Sequence, residues 1–143
     1  MTLSPHFTLD ELTITSRAEF RAAQAYGALR STMVYDALGA LCTRVLEPIR
    51  EHVGRPVKVT SGFRSLHLNA ATPGASKTSQ HVRGEAADIQ VPGWTDGQLR
   101  MLWVWIGWQS GLAVGQVIYE DKRPDTNGTA WLHVSLGAPW RAP

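Results

Sequence analysis

The sequence predicts an α+β fold, a single domain in which a small, mainly antiparallel sheet packs with helices. Three observations lead there. Helical patterns dominate residues 1–54, and strand patterns with one further helix fill residues 55–143. The helices precede and interrupt the strands without the regular β-α-β-α rhythm of a doubly wound parallel sheet. The 143 residues, 43% of them hydrophobic, match one globular domain and exclude a disordered or collagen-like chain.

Each element has its own signal. Thr8 and Glu11 fit a capping box, with Phe7 and Leu12 as its hydrophobic staple, so a short helix starts there. The Ala- and Arg-rich stretch 17–30 reads as helix. A stronger helix covers 32–53, where Val34, Leu38, Leu41, Val45 and Ile49 recur at three- and four-residue steps. Pro48 lies inside it and should kink or restart it, and Gly54 is placed as its C-cap. Strands are expected at 57–61, 86–91, 116–120 and 131–136. Residues 62–84, rich in Ser, Gly, Asn and Thr, read as a long functional loop. Thr95 and Gln98 form a second capping box, which opens a helix running to about Gln109. Its apolar residues surround it almost completely, so it is expected in the core, tryptophans included. Residues 122–128 read as a polar turn.

Composition narrows the function classes. A net charge of +2, not gathered into runs, gives little support for nucleic-acid binding and only weak compatibility with an anionic polymer. The single cysteine, Cys42, excludes an intramolecular disulfide and a multi-cysteine zinc site, and its place beside the apolar stripe makes it a core residue. The longest apolar run, 101–108, falls short of the ~18 residues of a membrane span, so no membrane insertion is expected. The start lacks a basic n-region and an apolar h-region, so synthesis in the cytoplasm without a signal peptide is expected.

Chemistry concentrates in two segments, Ser79-Gln-His81-Val-Arg-Gly84-Glu-Ala-Ala-Asp88 and Trp131-Leu-His133-Val-Ser135. Strand alternation puts Asp88 and Gln90 on one face, and Trp131, His133 and Ser135 on one face of the last strand. If the two strands are neighbours, His81, Asp88 and His133 converge. Two imidazoles and one carboxylate suit Zn²⁺ and leave its fourth position open. The alternative is that both histidines are ordinary polar-face residues and Asp88 a turn or ion-pair group.

Ser61-Gly-Phe-Arg64-Ser65, Ser79-x-His81-x-x-Gly84-x-Ala86-x-Asp88 and Trp131-x-His133-x-Ser135 together resemble the zinc D-Ala-D-Ala carboxypeptidase and L,D-endopeptidase family, peptidase M15-like, with the Hedgehog/DD-peptidase fold. The opening Leu3-Ser-Pro-His-Phe-Thr-Leu-Asp-Glu-Leu12, with Val45-Leu-Glu-Pro-Ile-Arg50 and Leu68-Asn69, is similar to its short phage-associated branch. The resemblance extends over nearly the whole chain.

The resemblance implies one Zn²⁺ ion held by His81, Asp88 and His133, and Arg64 as a catalytic and substrate-binding residue. A guanidinium suits a peptide carboxylate or a developing oxyanion. Ser79 is placed to bind substrate or orient His81, with plain loop stabilisation as the alternative. Trp131 and Trp140 are candidates to flank the cleft. Some branches carry an acidic residue three before the last histidine ligand; here that position is Ala130. Glu120, at the end of the third strand, is the expected general base, with Asp121 next; the alternative is that both solvate the turn into Lys122. His6 and His52 are expected to be solvated or capping, and His67 is a minor candidate for the cleft wall. The implied substrate is an amide in peptidoglycan stem peptides. The implied setting is a phage or prophage lysis or tail-associated enzyme acting at the cell wall or periplasm. The rival is a non-catalytic zinc-binding module in tail assembly or wall recognition.

Overall fold

The computed structural model describes residues 1–121 and 129–137. The expected turn at 122–128 and Trp140 lie outside them. A short hairpin not foreseen from the sequence, β1 (Thr2–Ser4) and β2 (Phe7–Thr8), leads into α1 (Leu9–Leu12). The capping box is formed in full: Thr8 Oγ1 accepts from the Glu11 N–H while the Glu11 carboxylate accepts from the Thr8 N–H. Phe7 and Leu12 are both buried. A 3₁₀ turn (Ala18–Phe20) precedes α2 (Arg21–Arg30).

The long helix is α3 (Thr32–Leu41) and α4 (Glu47–Val53), joined through a π-turn, Cys42–Leu46. The widened turn lies just ahead of Pro48, whose ring lacks an N–H and crowds the carbonyl four residues back. The axis therefore adjusts without losing the stripe: Leu38, Leu41, Val45 and Ile49 are all buried, and Val34 is partly so. Gly54 ends the helix with a left-handed φ of 73°. Cys42 is fully buried, which pushes its thiol up to about 12.

A four-stranded antiparallel sheet follows, in the order β3 (Lys58–Ser61), β4 (Ala86–Gln90), β6 (Trp131–Leu136), β5 (Val114–Glu120). Between β3 and β4 the expected loop is partly helical, with α5 (Leu66–Ala70) and a 3₁₀ turn (Gln80–Arg83). Both are short and side-chain capped, by Ser65 and Ser79, so no apolar periodicity announces them. Helix α6 (Asp96–Val104), with a π-turn (Trp105–Gln109), connects β4 to β5.

One face of the sheet carries Ala87, Ile89, Leu132 and Val134, all fully buried in the same core as the helical stripe. Each such Leu or Val contributes roughly 1.5–3 kcal/mol. The helix 95–109 is not core all round. Leu99, Leu102 and Ile106 are buried, while Met101 and Trp108 are about two-thirds exposed. A helix packed on one side of a sheet can bury only one stripe, and this one reaches its limit there. Trp103 is half-buried and its indole N–H donates to the Val117 carbonyl at 3.1 Å.

Two histidines, exposed as expected, also have specific partners. His52 stacks on Trp105 with ring centroids 3.6 Å apart. His6 pairs with Glu47, Nδ1 to Oε2 at 2.8 Å, a contact across 41 residues of chain that spacing does not reveal.

Candidate metal centre

The opposite face of the sheet floors a cleft of about 1130 Å³. Residues 14–17 and the segment 72–80 form its far wall. Arg17 joins these two pieces by donating to the Ala71 carbonyl at 3.0 Å, and the Asn69 amide holds the second by donating to Ser76 O at 2.9 Å.

β4 and β6 are direct neighbours. Asp88 pairs with His133 and Ala86 with Ser135, so alternation carries both chemical side chains to the cleft face. β3 carries one extra residue at Thr60, opposite Asp88. This bulge re-aims the end of β3, and Thr60 Oγ1 donates to the Asp88 carbonyl at 3.3 Å.

His81 enters from the 3₁₀ turn. Ser79 Oγ accepts from the His81 N–H at 3.2 Å, so this serine caps the turn that carries the histidine, and it also lines the cleft. The His81 ring is nearly fully buried, and Nδ1 donates to the Gly62 carbonyl at 2.7 Å. A carbonyl can only accept, so Nδ1 carries a proton, and in the neutral ring Nε2 keeps a lone pair. Gly62 itself lies so close to α1 that a Cβ there would stand 2.4 Å from the Leu12 carbonyl.

His81 Nε2 lies 3.4 Å from Asp88 Oδ1, and His133 Nδ1 lies 3.1 Å from the same oxygen. The two imidazoles meet edge-on, their centroids 5.1 Å apart. The three candidate donor atoms all lie within 4.8 Å of one another, the one such group among the described residues. In the neutral His81 ring the Nε2 lone pair is available to a cation held against Asp88, whereas a protonated ring donates from Nε2 to Asp88 instead. Burial works against the Asp88 anion, but hydrogen bonds and charge from His133 and His81 outweigh it and hold the carboxyl down to about 2. The donor set therefore fits a borderline cation such as Zn²⁺.

Around this cluster, Arg64 is half-buried in the cleft wall, and its Nε has no hydrogen-bond partner among the described residues. Burial lowers its pKa, and the charge of Asp88 opposes that shift. Trp131 and Glu120 are a directly opposed pair on β6 and β5, and both line the cleft. Asp88 and Glu120 are the two carboxylates among the described lining residues; Asp121 is exposed beyond the strand end, and His67 is exposed on α5 outside that lining. Ala130 is buried with the core, one step out of phase with Trp131 and His133. A side chain at that position faces away from the metal cluster.

Two further features near the site are not evident from the sequence. A second bulge on β5 lets Val114 pair with Leu136 but Val117 with Val134. Gly115, isolated in a strand pattern, was its available signal. The other feature is Gln24, buried on α2, for which a polar residue in an Ala- and Arg-rich helix gives no signal.

Two histidines and an aspartate converge on the floor of a cleft that also carries an arginine and a second carboxylate, a set of groups suited to a metal-dependent hydrolase. The family model for peptidase M15 matches residues 5–116, and the chain belongs to that family, one of metallopeptidases. The match ends ahead of Glu120 and His133, so geometry alone brings those two to the site. No curated protein matches the chain. No helix among the described residues is long and apolar enough to cross a membrane.

Proposed function

We propose that the chain is a zinc-dependent peptidoglycan peptidase that hydrolyses an amide bond in murein stem peptides. The observation that carries this reading is the sharing of Asp88 Oδ1 between His81 and His133 at the floor of the cleft. His81, Asp88 and His133 would hold the ion. A zinc ion supplies, when bound, Lewis-acid polarisation of a carbonyl and acidification of water.

The chain's own residues supply the rest. Glu120 accepts a proton from water at a carboxylate oxygen and returns it to the leaving amine. Arg64 binds a stem-peptide carboxylate or the oxyanion that develops at the scissile carbonyl. Ser79 keeps His81 in place through its backbone N–H, and Trp131 walls the cleft beside the base. The cleft, about 1130 Å³, has room for an extended stem peptide, which a carboxypeptidase and an endopeptidase both bind. Action at the cell wall or periplasm, after phage-type release or as a virion component, is part of the same proposal.

The test is mass spectrometry of soluble fragments from purified peptidoglycan incubated with the zinc-loaded protein, beside a His81→Ala control. Freed stem peptides or split cross-links seen only with the wild type would name an endopeptidase. Release of single alanines would name a carboxypeptidase instead. No fragments from several wall chemotypes, with zinc bound, would move the reading to the non-catalytic zinc-binding module.

A further inference from the structure

Helix α2 is docked in an unusual way. Its buried residues are an amide and an alanine, Gln24 and Ala28. So little apolar burial gives a ten-residue helix weak reason to dock, and a buried amide is costly unless it is fully hydrogen-bonded. Gln24 is so bonded. Nε2 donates to the carbonyls of Thr13 at 3.2 Å and Phe63 at 2.6 Å, and Oε1 accepts from the Ser65 N–H at 2.6 Å. Two of these partners only accept and the third only donates, so a single orientation of the amide satisfies all three.

The partners on Phe63 and Ser65 flank Arg64. The Arg64 N–H donates to the His81 carbonyl at 3.0 Å, the Phe63 N–H to Leu12 O at 2.7 Å, and the Gly62 carbonyl accepts from the His81 ring. The backbone at 62–65 is thus tied at five polar groups. The Arg64 side chain, by contrast, has an Nε with no hydrogen-bond partner among the described residues. The side chain thus has the charge of Asp88 to attract it and the tied backbone at 62–65 to fix its root.

We propose that Gln24 is a positioning residue for Arg64: its buried amide grips the peptide groups on both sides of Arg64 and sets where the guanidinium stands in the cleft. This rests on the reading of Arg64 as the substrate anchor. Gln24 acts through Arg64 and does not touch the metal cluster.

The test compares wild type, Gln24→Met, Arg64→Ala and the double variant in the full chain, with Ala28→Gly as a control on the same helix. Loss of hydrogen bonds that leaves buried partners unpaired should raise KM for a carboxylate-bearing stem peptide about tenfold, with kcat and zinc affinity little changed. Gln24→Met should add nothing once Arg64 is alanine. An equal loss in both backgrounds, or the same rise in KM from Ala28→Gly, overturns the proposal. Amide hydrogen exchange reads the same point without activity. Gln24→Met should speed exchange at both Arg64 and Ser65 and leave Ile89 unchanged; acceleration confined to Ser65 overturns the proposal. If the wild type cleaves no wall substrate, the peptidase reading fails on its own and exchange at Arg64 still decides the role of Gln24. Should Gln24→Met not fold, Gln24→Asn carries the same comparison, since it keeps an amide but draws it back by one methylene.

Discussion

Asp88 and His133 face each other across the β4–β6 ladder, and Oδ1 of the first lies 3.1 Å from Nδ1 of the second. A cation that binds here binds the folded chain, because the unfolded chain holds the two residues 45 positions apart. Zinc at a hundred times its dissociation constant should therefore stabilise the protein by about 2.7 kcal/mol, a melting shift of roughly 8 °C. Calorimetry with and without zinc checks this, and Asp88→Asn should lose most of the shift. An undiminished shift in that variant would place the ion elsewhere.

Glu120 stands on the same sheet face as His133, diagonal to it through Trp131. Glu120→Gln keeps the size of the side chain but cannot accept the proton. Zinc uptake should be unchanged and the hydrolysis rate should fall by about 10²–10⁴. Hydrolysis near the wild-type rate would remove Glu120 from the role of base.

The β5 bulge decides which way Glu120 faces. Ser135 Oγ accepts the Gln116 N–H at 2.9 Å, and a Cβ on Gly115 would lie 2.4 Å from the Leu136 carbonyl. Gly115→Val should cost about 1–3 kcal/mol through overpacking. A one-residue slip would turn Glu120 to the helix side, so activity should fall further than the loss of stability explains. Thermal melts set beside hydrolysis rates measure both effects. Wild-type values for both would mean that the bulge tolerates a side chain.

Glu47 accepts from Ser4 Oγ and the His6 N–H, each at 2.7 Å, and pairs with the His6 ring. Burial opposes its charge, but these hydrogen bonds prevail and hold the carboxyl below its ordinary range. A folded pKa below the unfolded one means that the stabilisation is present above about pH 4.3 and is lost as pH falls through the folded value. Glu47→Gln should cost about 1–2 kcal/mol at pH 7. Denaturant titrations should show that difference narrowing in acid; a gap that stays constant would mean the charge contributes nothing.

Local patterns carried much of this architecture. The capping boxes at Thr8 and Thr95, the stripe from Leu38 to Ile49 and the alternation around Asp88 and His133 each depend on residues within a few positions of one another. Two of the cluster's members, His81 and Asp88, stand in one short motif, and the motifs together pointed to the family that the match over residues 5–116 identifies. The exposure of Trp108 was not legible, because it depends on how much surface one sheet face can cover.

The remaining decisions belong to long-range geometry. Nothing local says that β6 inserts between β4 and β5, yet this order sets His133 against Asp88 and Glu120 against Trp131. Nothing local makes Gln24 a buried clamp on Phe63 and Ser65, 39 and 41 residues away. Residue type and spacing limit which chemistry a chain can perform, since they act through the nearest turn or strand. Register and hydrogen bonds between distant segments choose among the arrangements that remain, because a buried polar group is stable only where the fold as a whole supplies its partner.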